Sequence, residues 1–265
     1  MMGAIIGDIV GSRFEWDNHK SKDFKLFQQR CEFTDDTVMT LAVAQAILDS
    51  AGDTDALARV CVRDMQTIGR PYPRCGWGGN FGEWIYDDNP KPYNSLGNGS
   101  AMRVSAVAWA AHTLDECVRM SNAVTAVSHD HPEGLKGAEA IAVATYWALH
   151  GVSKEGIKAE MQRYYNLDFT LDAIRPFYQF DVTCMGTCPP AIVAFLESTS
   201  FEDAIRNAIS IGGDSDTIAA CTGAIAEAYY GVPQWMREQA KTFLDNRLLG
   251  ILDTFERTYP PKLCR

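Results

Sequence analysis

The chain has 265 residues, 46% apolar and 22% charged, which suits one large globular domain or two small ones. Lys and Arg number 24 against 34 Asp and Glu, a net charge of −10 with no basic cluster. That balance argues against a protein that wraps nucleic acid through phosphate contacts, although metal or backbone amides could still receive a small anionic ligand.

Met1 to Asp8 is too short an apolar run for a signal peptide, and no segment approaches the length of a membrane span. Eight cysteines are scattered without a CxxC pair, which predicts free thiols in a reducing cytoplasm. Cys184 and Cys188 hint at zinc but lack a second pair, so a zinc site is not expected.

Residues 3 to 16 read GAIIGDIVGSRFEW, with glycines at 3, 7 and 11. A four-residue spacing of glycines suits a buried, tightly packed helix, and its end could deliver Glu15 to a site. Residues 17 to 33 read as an irregular, mobile loop. Thr34-Asp35-Asp36-Thr37 then opens a helix expected over Val38 to Ala51. Asp53-Thr54-Asp55 caps another, Ala56 to Thr67. Residues 68 to 99 collect prolines, glycines and tryptophans, and a connection of that length is usually functional; it should hold a short helix near Phe81 to Tyr86. Its last part, Asn94 to Arg103, has glycines on either side of Asn98. Such a loop could form an amide nest ahead of a helix predicted over Ala101 to Ala111, or a plain turn capped by Ser100.

Helical periods continue over Leu114 to Ser128, Gly137 to His150 and Val152 to Tyr165. Residues 169 to 181 have no clear period. Further helices are expected over Pro189 to Glu197, Phe201 to Ile209 and Gln234 to Leu252. Between the first two stretches, His129 reads as a ligand contact and His131 as structural. Ile211-Gly212-Gly213-Asp214-Ser215-Asp216-Thr217 is a second acidic loop, entering an apolar run from Ile218 to Tyr230. No segment shows strand alternation and no composition shift marks a linker. The prediction is an all-α protein with one domain, 1–265.

The two acidic loops carry the chemistry. Each puts two carboxylates and flanking hydroxyls at a helix N-terminus, where the positive end favours the ionised form. Hard cations such as Mg²⁺ bind such oxygen sets. Either loop alone reads equally well as an ordinary capped helix start; two of them favour a shared metal site.

The motifs GDIVGSRFE (7–15), FTDDTVMTLA (33–42), GNGSAMRVS (97–105), SHDHPEGLKGAEA (128–140) and GGDSDTIA (212–219) together resemble the ADP-ribosylglycohydrolase family. That group includes dinitrogenase reductase-activating glycohydrolase and the eukaryotic ADP-ribosyl-acceptor hydrolases. The motifs keep the family order over almost the whole chain, which is short for the family and closest in character to its bacterial members. The resemblance implies a single compact orthogonal helical domain. It implies two Mg²⁺ ions, or Mn²⁺, held by Thr34, Asp35, Asp36, Asp214, Asp216 and Thr217, with Asp216 as the bridge and Glu15 beside them. It further implies that Ser95, Gly97, Asn98 and Gly99 meet the diphosphate or distal ribose and that His129 lines the ligand. Asn94-Ser95-Leu96 departs from the Gly-Ser-Tyr of some relatives. An aromatic stacking partner is therefore either missing or supplied by Trp77, Phe81 or Tyr93.

The expected reaction is hydrolysis of the bond between C1″ of ADP-ribose and an acceptor, arginine first and serine second, on a protein or a small molecule. A metal-activated water would attack, with Asp35 or Asp36 as general base and Glu15 as the other candidate. The competing readings are a non-catalytic nucleotide-binding or crystallin-like structural protein and a di-metal pyrophosphohydrolase. The chain is expected to be a cytoplasmic monomer that binds neither membrane nor nucleic acid.

Overall fold

The computed structural model describes residues 1–51 and 53–261. The described residues form helices α1 (Met2–Gly11), α2 (Asp35–Asp49), α3 (Thr54–Gly69), α4 (Gly79–Tyr86), α5 (Ser105–Ala110), α6 (Leu114–Thr125) and α7 (Pro132–Leu149). These are followed by α8 (Lys154–Met161), α9 (Leu171–Ile174), α10 (Cys184–Glu197), α11 (Phe201–Ile209), α12 (Ser215–Tyr230), α13 (Gln234–Lys241) and α14 (Asn246–Thr258). The fold is all-α. The only β-type pairing among the described residues is an isolated antiparallel bridge between Gly97 and Thr183.

The centre of the molecule is the pair α1 and α12. Every residue of α1 is buried. A Cβ at Gly3 would stand 2.2 Å from Gly223 O, one at Gly7 2.0 Å from Ala219 O, and one at Gly11 2.5 Å from Asp216 Cα. Residue numbers rise along one helix as they fall along the other, so the two run antiparallel with backbones in direct contact. The glycine spacing read from the sequence is the reason this is possible. It also sets the register: the end of α1 lies against the start of α12. Around this pair α2, α7, α10 and α11 pack their apolar faces into one hydrophobic cluster.

Several boundaries differ from expectation, each for a local reason. Residues 101–103 form turns, so the helix after the glycine loop starts only at Ser105 and has six residues. His131, not a residue near Gly137, starts α7: its Nδ1 accepts Glu133 N at 3.0 Å, and Pro132 occupies the first turn. α10 begins at Cys184 and carries Pro189 and Pro190 inside it. Pro190 cannot donate to Gly186 O, and Tyr178 Oη donates to that carbonyl instead at 3.0 Å. The last predicted helix is two, because Asp245 accepts Arg247 N and Leu248 N, both at 2.9 Å, and starts α14 afresh. Cys184 and Cys188 are buried beside Gly137, and the seven described cysteines form no disulfide. Cys264 lies outside the described residues. No described helix is long and apolar enough to cross a membrane.

Candidate metal and ligand cleft

Thr34 caps α2 through its side chain, accepting Asp36 N at 3.3 Å. The next amide of that turn, Thr37 N, goes to Asp8 Oδ2 at 3.0 Å. Asp8 also accepts Thr34 N at 2.9 Å, Thr34 Oγ1 at 2.8 Å, and the Thr37 hydroxyl. Asp8 is the residue the sequence reading passed over. It sits in the middle of α1 and reaches across to close the N-terminus of α2. With those amides taken, Asp36 is free of capping and points elsewhere. Likewise Asp214 precedes α12 without capping it by its side chain. Its Oδ2 accepts Asn98 Nδ2 at 2.5 Å, and Asn98 Nδ2 also donates to Thr187 Oγ1 at 2.9 Å. The plain-cap explanation of the acidic residues therefore fails at Asp214.

The two helix starts meet. Thr217 Oγ1 donates to Asp36 Oδ2 at 3.3 Å across 181 residues of sequence. Carboxylate oxygens of Asp8, Asp36 and Asp216 lie within 4.8 Å of one another, as do those of Glu15, Asp214 and Asp216. Asp216 belongs to both groups. Asp36 Oδ1 and Asp216 Oδ1 are buried with no hydrogen-bond partner. A buried bare carboxylate oxygen is costly, and two in one acidic cluster favour a cation there. The donor set is all oxygen, as Mg²⁺, Mn²⁺ or Ca²⁺ requires.

The electrostatics agree. Burial above all, then Asp8 and Asp35, raises Asp36 well above the usual carboxyl range; burial, Asp214 and Asp36 do the same to Asp216. Asp35 is raised likewise by burial and Asp8, and Asp214 is raised by burial. Burial pushes Asp8 up to about 6 against its four hydrogen bonds. Glu15 is pushed up to about 7 by burial, then by Asp214 and Asp8, with the Trp16 side chain opposing. In the absence of a cation, burial and mutual repulsion oppose the helix dipoles that favour the ionised forms. A dipole contributes about 0.3–1 kcal/mol. Two like charges about 5 Å apart cost on the order of 3 kcal/mol at an effective dielectric near 20. Repulsion and burial win unless a divalent cation neutralises the cluster.

Above this floor opens a cleft of about 570 Å³. Glu15, Asp35, Asp36, Asp214, Asp216 and Thr217 face it, and Ser95, Gly97, Asn98, Gly99 and His129 form its wall. Thr34 does not line it; its hydroxyl is turned to Asp8 behind the carboxylates. Two amides of the glycine loop are spent inside the protein. Gly97 N donates to Ser95 Oγ at 3.1 Å, and Asn98 N to Val182 O at 2.7 Å. Those bonds lie in the segment that pairs with 182–184. Trp77, Phe81 and Tyr93 all line the cleft. The sequence reading also missed the mouth, where Trp16 and Phe180 stack at 4.9 Å while 80% and 42% exposed.

Known proteins share both the sequence and the shape. The ADP-ribosylglycohydrolase family model matches residues 1–260. The ADP-ribosylarginine hydrolase Tri1 of Pseudomonas putida (strain GB-1) is 27% identical, over 91% of this chain and 73% of its own length. The ADP-ribosylhydrolase ARH3 of Homo sapiens is 25% identical, over 88% of this chain and 85% of its own. A solved structure titled ADP-ribosylglycohydrolase-related protein complex shares the fold with a TM-score of 0.66 at 22% identity, covering 96% of this chain and 97% of its own. The chain belongs to the ADP-ribosylglycohydrolase family, whose members hydrolyse glycosidic bonds.

Proposed function

We propose that this chain, acting as one domain, is a divalent-metal-dependent hydrolase that releases ADP-ribose from an arginine side chain. The observation that carries the reading is the meeting of Asp36 and Asp216, from helix starts far apart in sequence, with an unpartnered buried oxygen on each. Asp35, Asp36, Asp214, Asp216 and Thr217 would hold two Mg²⁺ ions, with Mn²⁺ the other candidate, while Thr34, turned to Asp8, would brace the carboxylates from behind and not ligate. Asp8 and Asp216 complete the groups from α1 and α12. Such ions, when bound, lower the pKa of a coordinated water and fix the ribose hydroxyls.

The chain's own groups do the rest. Asp35 and Glu15 are the partly exposed carboxyls on the cleft side, whereas Asp36 is buried. Proton transfer at C1″ therefore falls to Asp35 or Glu15, a contribution of typically ~10²–10⁴-fold. Ser95, Gly97, Asn98, Gly99 and His129 hold the diphosphate and distal ribose along the wall, with Trp77, Phe81 or Tyr93 against the base. Trp16 and Phe180 stand next to Glu15 at the mouth, where the acceptor leaves. An exposed aromatic face beside carboxylates suits a planar cation, which is why arginine is placed before serine. The relative from Pseudomonas putida is named for the same linkage. The seven unpaired described thiols suit a reducing compartment, the cytoplasm.

The test is an assay of ADP-ribosylated arginine, serine and small-molecule conjugates with Mg²⁺. Free ADP-ribose from the arginine conjugate is expected, with Asp216→Asn reducing the rate by at least ~10²-fold. No ADP-ribose from any conjugate, or AMP as the product, would sink the reading.

A further inference from the structure

Arg103, Ser128 and His129 are buried, at 1%, 0% and 4% exposure. Arg103 Nη2 donates to Ser128 Oγ at 2.8 Å and to Val124 O at 3.1 Å, which anchors the guanidinium at the end of α6. Ser128 Oγ lies 2.8 Å from His129 Nδ1. A guanidinium offers no acceptor, so the Ser128 hydroxyl proton turns to the other neighbour of its oxygen, Nδ1. Nδ1 accepts, and the ring carries its own proton on Nε2. Burial, and then Arg103, hold the imidazole pKa well below its ordinary value, so the ring stays neutral.

The free nitrogen faces the glycine loop. A Cβ at Gly99 would stand 3.2 Å from Nε2, and one at Gly97 3.6 Å. Both positions are glycine, and His129 lines the cleft with its ring hydrogen bond on Nδ1, leaving Nε2–H without a partner among the described residues. This gives the two glycines a purpose beyond the turn. They keep side chains off a donor.

We propose that Arg103 and Ser128 are positioning residues that fix His129 as a neutral Nε2–H donor to an acceptor oxygen of the bound ligand. This rests on reading the cleft as an ADP-ribose site. The donor is set before the ligand arrives, so no ring flip or tautomer exchange accompanies binding.

The test uses the full chain labelled with ¹⁵N at histidine, free of ligand, with His129 assigned by loss of its signals in His129→Gln. The ring shifts of the wild type are expected to report the Nε2–H tautomer at neutral pH. Ser128→Ala should give mixed tautomers and roughly 3- to 10-fold weaker ADP-ribose binding by calorimetry, the worth of one hydrogen bond. Ser128→Thr should restore both. An Nδ1–H or doubly protonated ring in the wild type overturns the proposal, and so does an unchanged tautomer in Ser128→Ala. If Ser128→Ala does not fold, the wild-type tautomer decides alone. The tautomer is read without ligand; correct shifts in a protein that neither binds nor releases ADP-ribose would remove the functional reading and leave the relay standing.

Discussion

Asp8 is a carboxylate in the middle of an otherwise apolar helix, fully buried, and every hydrogen bond it makes goes to the first turn of α2. Oδ2 takes the amides of Thr34 and Thr37 and the Thr37 hydroxyl; Oδ1 takes the Thr34 hydroxyl. Replacing it by alanine leaves two buried amides bare, at about 1–3 kcal/mol each, so Asp8→Ala should lose on the order of 3 kcal/mol. Asp8→Asn behaves differently. Its carbonyl can take the Oδ2 position, and its amide then meets the Thr34 hydroxyl, which can rotate to accept. That variant should lose less than about 1 kcal/mol yet bind Mg²⁺ more weakly, having one charge fewer beside Asp36 and Asp216. Urea unfolding at pH 5 in chelator measures the first effect, with the cluster largely protonated, and calorimetry measures the second. Equal stability of the two variants would contradict this account of Asp8.

At the scale of elements, the α1–α12 contact is what carries Asp8 and Glu15 to Asp216. Gly7 has no room: its added Cβ falls 2.0 Å from a backbone oxygen that cannot rotate away. Gly7→Val should cost at least about 1–3 kcal/mol by overpacking and, by parting the helices, weaken Mg²⁺ binding as well. A thermal melt and a metal titration of the same variant check both, and wild-type metal affinity in a destabilised variant would separate packing from site. The tight packing of α1 was legible in advance because a four-residue glycine spacing has few other uses; its partner was not. Nor were other features. His131 as a cap, Asp245 splitting the last helix and two prolines inside α10 depend on partners such as Tyr178 that periodicity does not reveal. The site divides the same way. Both acidic loops stood out as motifs, as did the family pattern. Asp8 did not, although a lone acid in an apolar stripe must find buried donors and could have been followed on that ground. That the glycine loop spends the Asn98 and Gly97 amides on Val182 and Ser95 required coordinates.

Over the whole molecule, the cluster makes stability depend on pH and metal together. Asp8 rises from its ordinary 3.8 to about 6 and Glu15 from 4.5 to about 7; Asp35, Asp36, Asp214 and Asp216 move the same way. The folded chain therefore holds protons that the unfolded chain releases near pH 4. These groups stabilise the metal-free fold fully below that pH, and the contribution is lost as pH climbs through 6 and 7. His129 works in the opposite sense, since its neutral buried ring resists the proton that the unfolded chain takes up below pH 6.5. Six carboxyls outweigh one imidazole, so in chelator the melting temperature should be higher at pH 5 than at pH 7.5. A divalent cation binds only the deprotonated cluster and displaces those protons. At 100 times its dissociation constant it adds about 2.7 kcal/mol, roughly 5 °C or more for a chain of this size. The gain should be large at pH 7.5 and small at pH 5, inverting the order seen in chelator. Scanning calorimetry at the two pH values, with chelator and with Mg²⁺, decides it; melting temperatures indifferent to the ion at pH 7.5 would mean that the carboxylates gather for some purpose other than holding a cation.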